Sequence, residues 1–177
     1  MALLALALAL IGGIPSAATP FVVTVPSAAT APAPHAPRPQ PVLDLPVPQG
    51  QVVALAHIPT PNWKPGHRGV DILAPTADVV APGDGTVAFV GQVAGRPVVT
   101  VALDVGVTAT VEPVVGGLDV GSRIRQGDVV GTVTAQGSHC APRTCVHWGI
   151  RAGEVYQDPV DWLRGWGPIT LLPLPRD

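Results

Sequence analysis

An all-β fold, mostly antiparallel and sandwich-like, is what this sequence predicts, and three observations carry the prediction. Of the 177 residues, 22 are Pro and 20 are Gly, and both types interrupt helices. Val, a strand former, dominates an apolar set that makes up 47% of the chain. From Gln51 onward, short apolar runs recur at close spacing, each bounded by Gly, Pro or Asp, as in a sandwich or barrel rather than a helix bundle. That apolar content excludes disorder throughout. A formal charge of -2, with ten Lys plus Arg, excludes a nucleic-acid binder, which needs a basic field to release counterions from phosphate.

In chain order, residues 2–14 (ALLALALALIGGI) form an unbroken apolar run, too short for a membrane span of ~20 residues. Ser16-x-Ala18 follows it, and Ser27-x-Ala29 comes later; both have the small residues of a signal-peptidase site. Residues 1–18 are expected to be a signal peptide, or an N-terminal anchor if uncleaved, although no Lys or Arg precedes the run. Residues 19–50, with Pro20, Pro26, Pro32, Pro34, Pro37, Pro39, Pro41, Pro46 and Pro48, read as an extended linker; His35 within it needs no role.

Strands are expected at Val52–Ala56, Gly69–Leu73, Asp78–Ala81, Thr86–Val90, Pro97–Leu103, Val107–Val111, Val129–Thr134, Cys145–Arg151 and Val155–Gln157. Asp84-Gly85 reads as a tight turn. A short helix is expected near Pro159–Leu163, capped by Asp158 with Pro159 in its first turn. The folded domain then spans 51–164, and 165–177 is an irregular tail in which Trp166, with Trp162 before it, anchors the C-terminal segment. Val80–Val87 and Ile124–Gly131 each place a Gly-Asp turn among valines, as in lipoyl and biotinyl carrier hairpins. Those carriers need a Lys at a hairpin tip, and the only Lys here, Lys64, stands beside Pro65 in a loop.

Chemistry concentrates in two places. His67-Arg68-Gly69-Val70-Asp71 sets a His and an Asp four residues apart, and on a strand positions i and i+4 share a face, so both reach one metal. Cys145-Val146-His147 likewise puts Cys145 and His147 on one face. His67, Asp71 and His147 supply three protein ligands and leave a position open, the pattern of a catalytic zinc site.

In their order, Trp63–Ile72, Ala81–Val87, Gly127–Gly131, Cys145–Arg151 and Tyr156–Pro159 resemble the LytM/lysostaphin-type peptidoglycan endopeptidases, over about residues 51–163. The resemblance implies a mostly antiparallel β-fold with a groove holding one Zn2+, with His67, Asp71 and His147 as ligands. It also implies bacterial peptidoglycan peptides as substrate, and a secreted or cell-envelope location. Two positions depart from the family pattern. Cys145 stands where the first His of a His-x-His motif usually assists catalysis. Pro113, in Val111-Glu112-Pro113, stands where a second assisting His usually lies. Glu112, as the neighbour of Pro113, is expected to face away from the site.

His139 is the candidate substitute acid–base group; the plain alternative is a loop histidine. Cys140 and Cys145 read either as a disulfide or, with Cys145 as a fourth ligand, as part of a closed zinc site. Trp63 and Arg68 are candidate substrate-binding residues, against a core-covering aromatic and a surface charge. Arg151 is weighed in the same way as Arg68. Trp148 is expected in the core, and His57 at a strand end. Two functions follow: a zinc endopeptidase of the cell wall, or a degenerate relative that binds wall peptides or regulates a partner hydrolase. A structural β-domain with a closed zinc site is the third.

Overall fold

The structure, a computed structural model, describes residue 40 and residues 42–166. The expected signal segment, most of the linker and the tail from residue 167 lie outside the described residues. The strands in order are β1 (Gln51–Ala54), β2 (Val70–Leu73), β3 (Asp78–Val80), β4 (Gly85–Val93), β5 (Arg96–Leu103), β6 (Thr108–Glu112), β7 (Val114–Gly116), β8 (Arg123–Ile124), β9 (Val129–Val133), β10 (Cys145–Ala152) and β11 (Val155–Gln157). They form an eight-stranded sheet in the order β1-β2-β10-β6-β5-β4-β8, with β11 paired to β10, and a three-stranded sheet β3-β9-β7. Every pairing within these sheets is antiparallel. The all-β expectation holds, and each expected strand appears near its predicted bounds. β7 and β8 were not expected, being three and two residues long, too short for alternation to show.

The tight β4–β5 hairpin is closed by Ala94-Gly95, with φ of 50° and 79°. Two successive residues at positive φ give the turn whose twist matches the strands it joins. Asp84-Gly85 makes no hairpin, because β3 and β4 lie in different sheets. There the two Gly-Asp segments bond to one another. The Asp84 carboxylate accepts the Gln126 N–H at 2.7 Å, and the Ala81 N–H donates to the Asp128 carbonyl at 2.8 Å.

The large sheet has two unlike faces. On β10, Val146, Trp148, Ile150 and Ala152 are buried at 3% exposure or less, and they pack with Val70, Ile72, Val99 and Val111 of the same sheet and Val79, Val114 and Val130 of the small one. The alternate residues Cys145, His147, Gly149 and Arg151 take the opposite face, which the small sheet leaves open.

The linker boundary at residue 50 needs correction. Leu43 and Val47 are 1% and 0% exposed and belong to the core. The Leu43 N–H donates to the Trp162 carbonyl at 2.9 Å, and the Arg164 N–H donates to the Leu43 carbonyl at 2.8 Å. Burying each such side chain contributes about 1.5–3 kcal/mol, enough to hold a Pro-containing segment against the domain without a long ladder. The expected helix is a single 3-10 turn, Pro159–Trp162. Asp158 caps it by accepting the Val160 N–H at 3.1 Å, but Leu163 returns to extended backbone to bridge Leu43, so the turn does not propagate.

Candidate metal centre and groove

Three adjacent strands build the site in a single row. In the β2–β10 ladder His147 pairs with Asp71, and in the β10–β6 ladder His147 pairs with Glu112. Residues directly opposite across a ladder share a face, so Asp71, His147 and Glu112 line up across β2, β10 and β6. His67 joins from the loop before β2, held by a two-way backbone bridge to His57 at 2.7 and 3.0 Å. His57 is therefore a positioning element through its backbone and lies outside the donor cluster.

The donor atoms converge. His67 Nε2 lies 3.2 Å from Asp71 Oδ1 and 3.0 Å from His147 Nδ1, and His147 Nδ1 lies 2.9 Å from Asp71 Oδ1. His139 Nδ1 reaches the same carboxylate oxygen at 3.1 Å. All four ligand atoms lie within 4.8 Å of one another. His67 Nδ1–H donates to the Leu55 carbonyl at 2.8 Å, which leaves the Nε2 lone pair facing the cluster. His67, Asp71 and His147 are a set that a single divalent cation would satisfy together, with His139 standing beside them at the same carboxylate oxygen. Burial alone pushes the Asp71 carboxyl up, but the His147 hydrogen bond and the charges of His147, His67 and His139 outweigh it and hold the group below the usual carboxylate range.

The close approach of β2 and β10 depends on Gly69. A Cβ there would stand 2.2 Å from the Trp148 carbonyl oxygen and 2.8 Å from His147 Nε2, so only Gly fits beneath the His147 ring.

Cys140 and Cys145 form a disulfide, with Cα atoms 5.8 Å apart. The bond removes the alternative in which Cys145 is a free thiolate ligand. The hydroxyl of Ser138 accepts the N–H groups of Cys140 and Cys145 at 3.3 and 3.0 Å and donates to the Arg143 carbonyl at 3.0 Å. The closed loop brings His139 into the cluster, beside the position that Cys145 leaves without an imidazole.

Glu112 is the residue that sequence reasoning misplaced. Alternation with Pro113 on the groove face would turn Glu112 away, but the pairing with His147 gives that face to Glu112. Its carboxylate accepts from Arg96 Nε at 3.1 Å and lies 3.7 Å from His139 Nε2. The groove holding these groups has a volume of about 590 Å³. Phe89, Val93 and Val98 give it an apolar side, while Arg68, Arg151 and Tyr156 give it a cationic and aromatic side. Arg68 Nε donates to the Asn62 carbonyl at 3.0 Å, and its Nη2 bonds the Asn62 and Lys64 carbonyls, so it ties down its own loop while flanking the groove. Arg151 pairs with Glu154 at 2.8 Å. Trp63 is 79% exposed and does not line the groove. Trp148 is 0% exposed and faces the core, as expected.

An antiparallel β-sheet face carrying a His/Asp cluster in an open groove is the architecture of a metallopeptidase-type domain. Residues 65–159 match the family model of Peptidase family M23, and the chain belongs to that family. It is 42% identical over 120 residues to an uncharacterized protein of Mycobacterium tuberculosis, Rv2891, and to one of Mycobacterium bovis, Mb2915. The match takes in 65% of this chain and spans about half, 48%, of each of those relatives. Among solved structures, lysostaphin shares 14% identity at a TM-score of 0.58, covering 78% of this chain and 62% of its own. Csd3 of Helicobacter pylori shares 23% at a TM-score of 0.57, covering 70% and 35%. A zinc-containing peptidase from Vibrio cholerae shares 16% at 0.57, covering 71% and 41%. These likenesses show the fold.

Proposed function

We propose that this chain is a zinc-dependent endopeptidase of the cell envelope that cuts peptidoglycan peptides, with His67, Asp71 and His147 as ligands and His139 as the assisting group. The observation that carries the reading is the convergence of His67 Nε2, Asp71 Oδ1 and His147 Nδ1 at 2.9–3.2 Å on the floor of an open groove. Zinc ligands at about 2.0–2.2 Å in tetrahedral array stand about 3.4 Å from one another, close to these separations. When bound, zinc supplies a Lewis acid for a peptide carbonyl and lowers the pKa of water toward ~7.

The chain's own residues supply the rest. Hydrolysis joins a water oxygen to the carbonyl carbon, breaks the C–N bond, and needs one proton moved from the water to the departing nitrogen. His139 is the group assigned to carry it, a reading supported by its Nδ1 at 3.1 Å from Asp71 Oδ1 and its position on the groove lining. The sheet floor, with Gly149, Thr100 and Thr110, leaves room for an extended peptide between the apolar and cationic sides.

Location at the envelope, through the apolar segment at residues 1–18, and a peptidoglycan substrate rest on the family resemblance. No helix among the described residues is long and apolar enough to cross a membrane.

The test uses the full chain, purified oxidised. Bound zinc is measured, and release of soluble fragments from purified cell walls is followed with His147→Ala as control. Zinc with cleavage that the variant lacks is the expected result. Zinc without cleavage would favour the wall-binding or partner-regulating reading, and absence of zinc would overturn the metal site.

A further inference from the structure

Two carboxylates face His139, one at each ring nitrogen: Asp71 Oδ1 is 3.1 Å from Nδ1, and Glu112 Oε1 is 3.7 Å from Nε2. Asp71 is one of the four clustered donors; Glu112 is outside that group. A cation on the cluster would occupy the Asp71 oxygen and leave Glu112 as the anion facing His139. We propose that Glu112 is the positioning residue of His139. Its carboxylate, 3.7 Å from Nε2, is a charge neighbour rather than a hydrogen-bond partner; it favours the proton at Nε2, so that the Nδ1 lone pair stays turned toward the metal site. The inference rests on the proposed function for its catalytic consequence, and on geometry alone for its structural one.

Three features make the placement a built one. Glu112 stands opposite His147 in the ladder, so strand pairing rather than a mobile loop fixes where its side chain starts. Arg96, the first residue of β5, donates to Glu112 Oε1 at 3.1 Å and keeps the carboxylate in place on the groove floor, where it is 13% exposed. The loop that carries His139 rests on the same Arg96. A Cβ on Gly137 would lie 3.0 Å from Arg96 Cγ, and at φ +85° that position favours Gly. One side chain thus sets both the carboxylate and the backbone that brings the imidazole to it. The same logic orients His67, whose Nδ1–H is held by the Leu55 carbonyl. A ring nitrogen that faces a metal site typically has its other nitrogen donating to a carboxylate or carbonyl, which fixes tautomer and orientation.

The arrangement accounts for both departures from the family pattern. Cys145 has no imidazole, but its disulfide to Cys140 brings in His139. Pro113 has none either, but the groove face at the end of β6 belongs to Glu112.

The experiment compares wild type, Glu112→Leu and Glu112→Gln as full chains loaded with Zn2+. The tautomer of His139 is read from ring nitrogen shifts by NMR, together with zinc stoichiometry and, on cell-wall fragments, kcat and KM. Wild type is expected to protonate His139 at Nε2. Glu112→Leu should lose that preference, keep its zinc, and lose roughly 10–100-fold in kcat at little-changed KM, the usual scale for an outer partner of a metal site. Glu112→Gln, which keeps the shape and one acceptor, should fall between the two. An unchanged His139 tautomer in Glu112→Leu overturns the proposal whatever the activity. If wild type itself does not cleave, the endopeptidase reading fails, while the tautomer comparison still decides the role of Glu112.

Discussion

Removing the Cys140–Cys145 bond should cost both stability and the placement of His139, and the two losses separate cleanly. The bond closes a short loop, with the cysteines five positions apart. For so short a loop, the chain-entropy estimate of the constraint on the unfolded state is about 2 kcal/mol. With a urea slope of about 1–3 kcal/mol per molar, the unfolding midpoint should drop by roughly 1 M. Trp148 and Trp162, 0% and 1% exposed, report unfolding by fluorescence. The comparison sets oxidised wild type beside reduced wild type and the Cys140→Ala/Cys145→Ala double variant. Cys145 is fully buried, so the double variant adds a cavity cost, and the reduced wild type, which keeps both sulfur atoms, isolates the effect of the bond. Ser138 bonds backbone groups of this loop in every sample, while its contact with Cys145 Sγ at 3.6 Å is lost only in the double variant. Zinc should stay, because His67, Asp71 and His147 are untouched. Wall-fragment release should fall by about 10-fold or more, a share of the ~10²–10⁴ that a positioned acid–base group contributes. An unchanged midpoint on reduction would refute the loop-constraint argument. A lowered midpoint with unchanged cleavage would show that the disulfide is structural only and that His139 is not the group it serves.

Three further perturbations test other parts of the structure. Gly69→Ala places a Cβ 2.2 Å from the Trp148 carbonyl oxygen, so β2 and β10 must part; zinc stoichiometry and melting temperature should both fall, and full zinc loading would refute the close-approach argument. Leu43→Ala should destabilise by about 2–5 kcal/mol in chemical unfolding, whereas a residue in a free linker would show no change. Asp104, paired with Arg123, has its carboxyl held below the usual range chiefly by the Arg123 hydrogen bonds. Because the folded value is the depressed one, its contribution is present above the unfolded value of about 3.9 and is lost as pH falls through the folded one. The stability gap between wild type and Asp104→Asn should therefore be seen near neutral pH and close on acidification; a gap that widens in acid would show that the pairing does not set it.

How much of this was legible in the sequence depended on what each feature requires. The strands were, because alternation and Gly/Pro punctuation are local. His67, Asp71 and His147 were legible as a donor set, though not for the reason of a shared strand face: His67 stands in the loop before β2, and its backbone bridge to His57 brings it to Asp71 and His147. The β4–β5 turn was not, because Ala94 carries no turn signal and its φ of 50° is imposed by the strands it joins. The packing of Val42–Gly50 was hidden by its prolines, which exclude a ladder but not the burial of Leu43 and Val47.

Glu112 shows why a correct local rule can still mislead. Side chains do alternate along β6, so Glu112 and its neighbours point to opposite faces. Which face is the groove is set by register against β10, a non-local quantity that the sequence of β6 does not contain. Once the ladder pairs His147 with Asp71 on one side and with Glu112 on the other, a carboxylate must appear on the groove floor, and Pro113 becomes the exit from the strand. Residues from different parts of the fold thus meet in one groove. A disulfide loop delivers His139, and a strand pairing delivers Glu112.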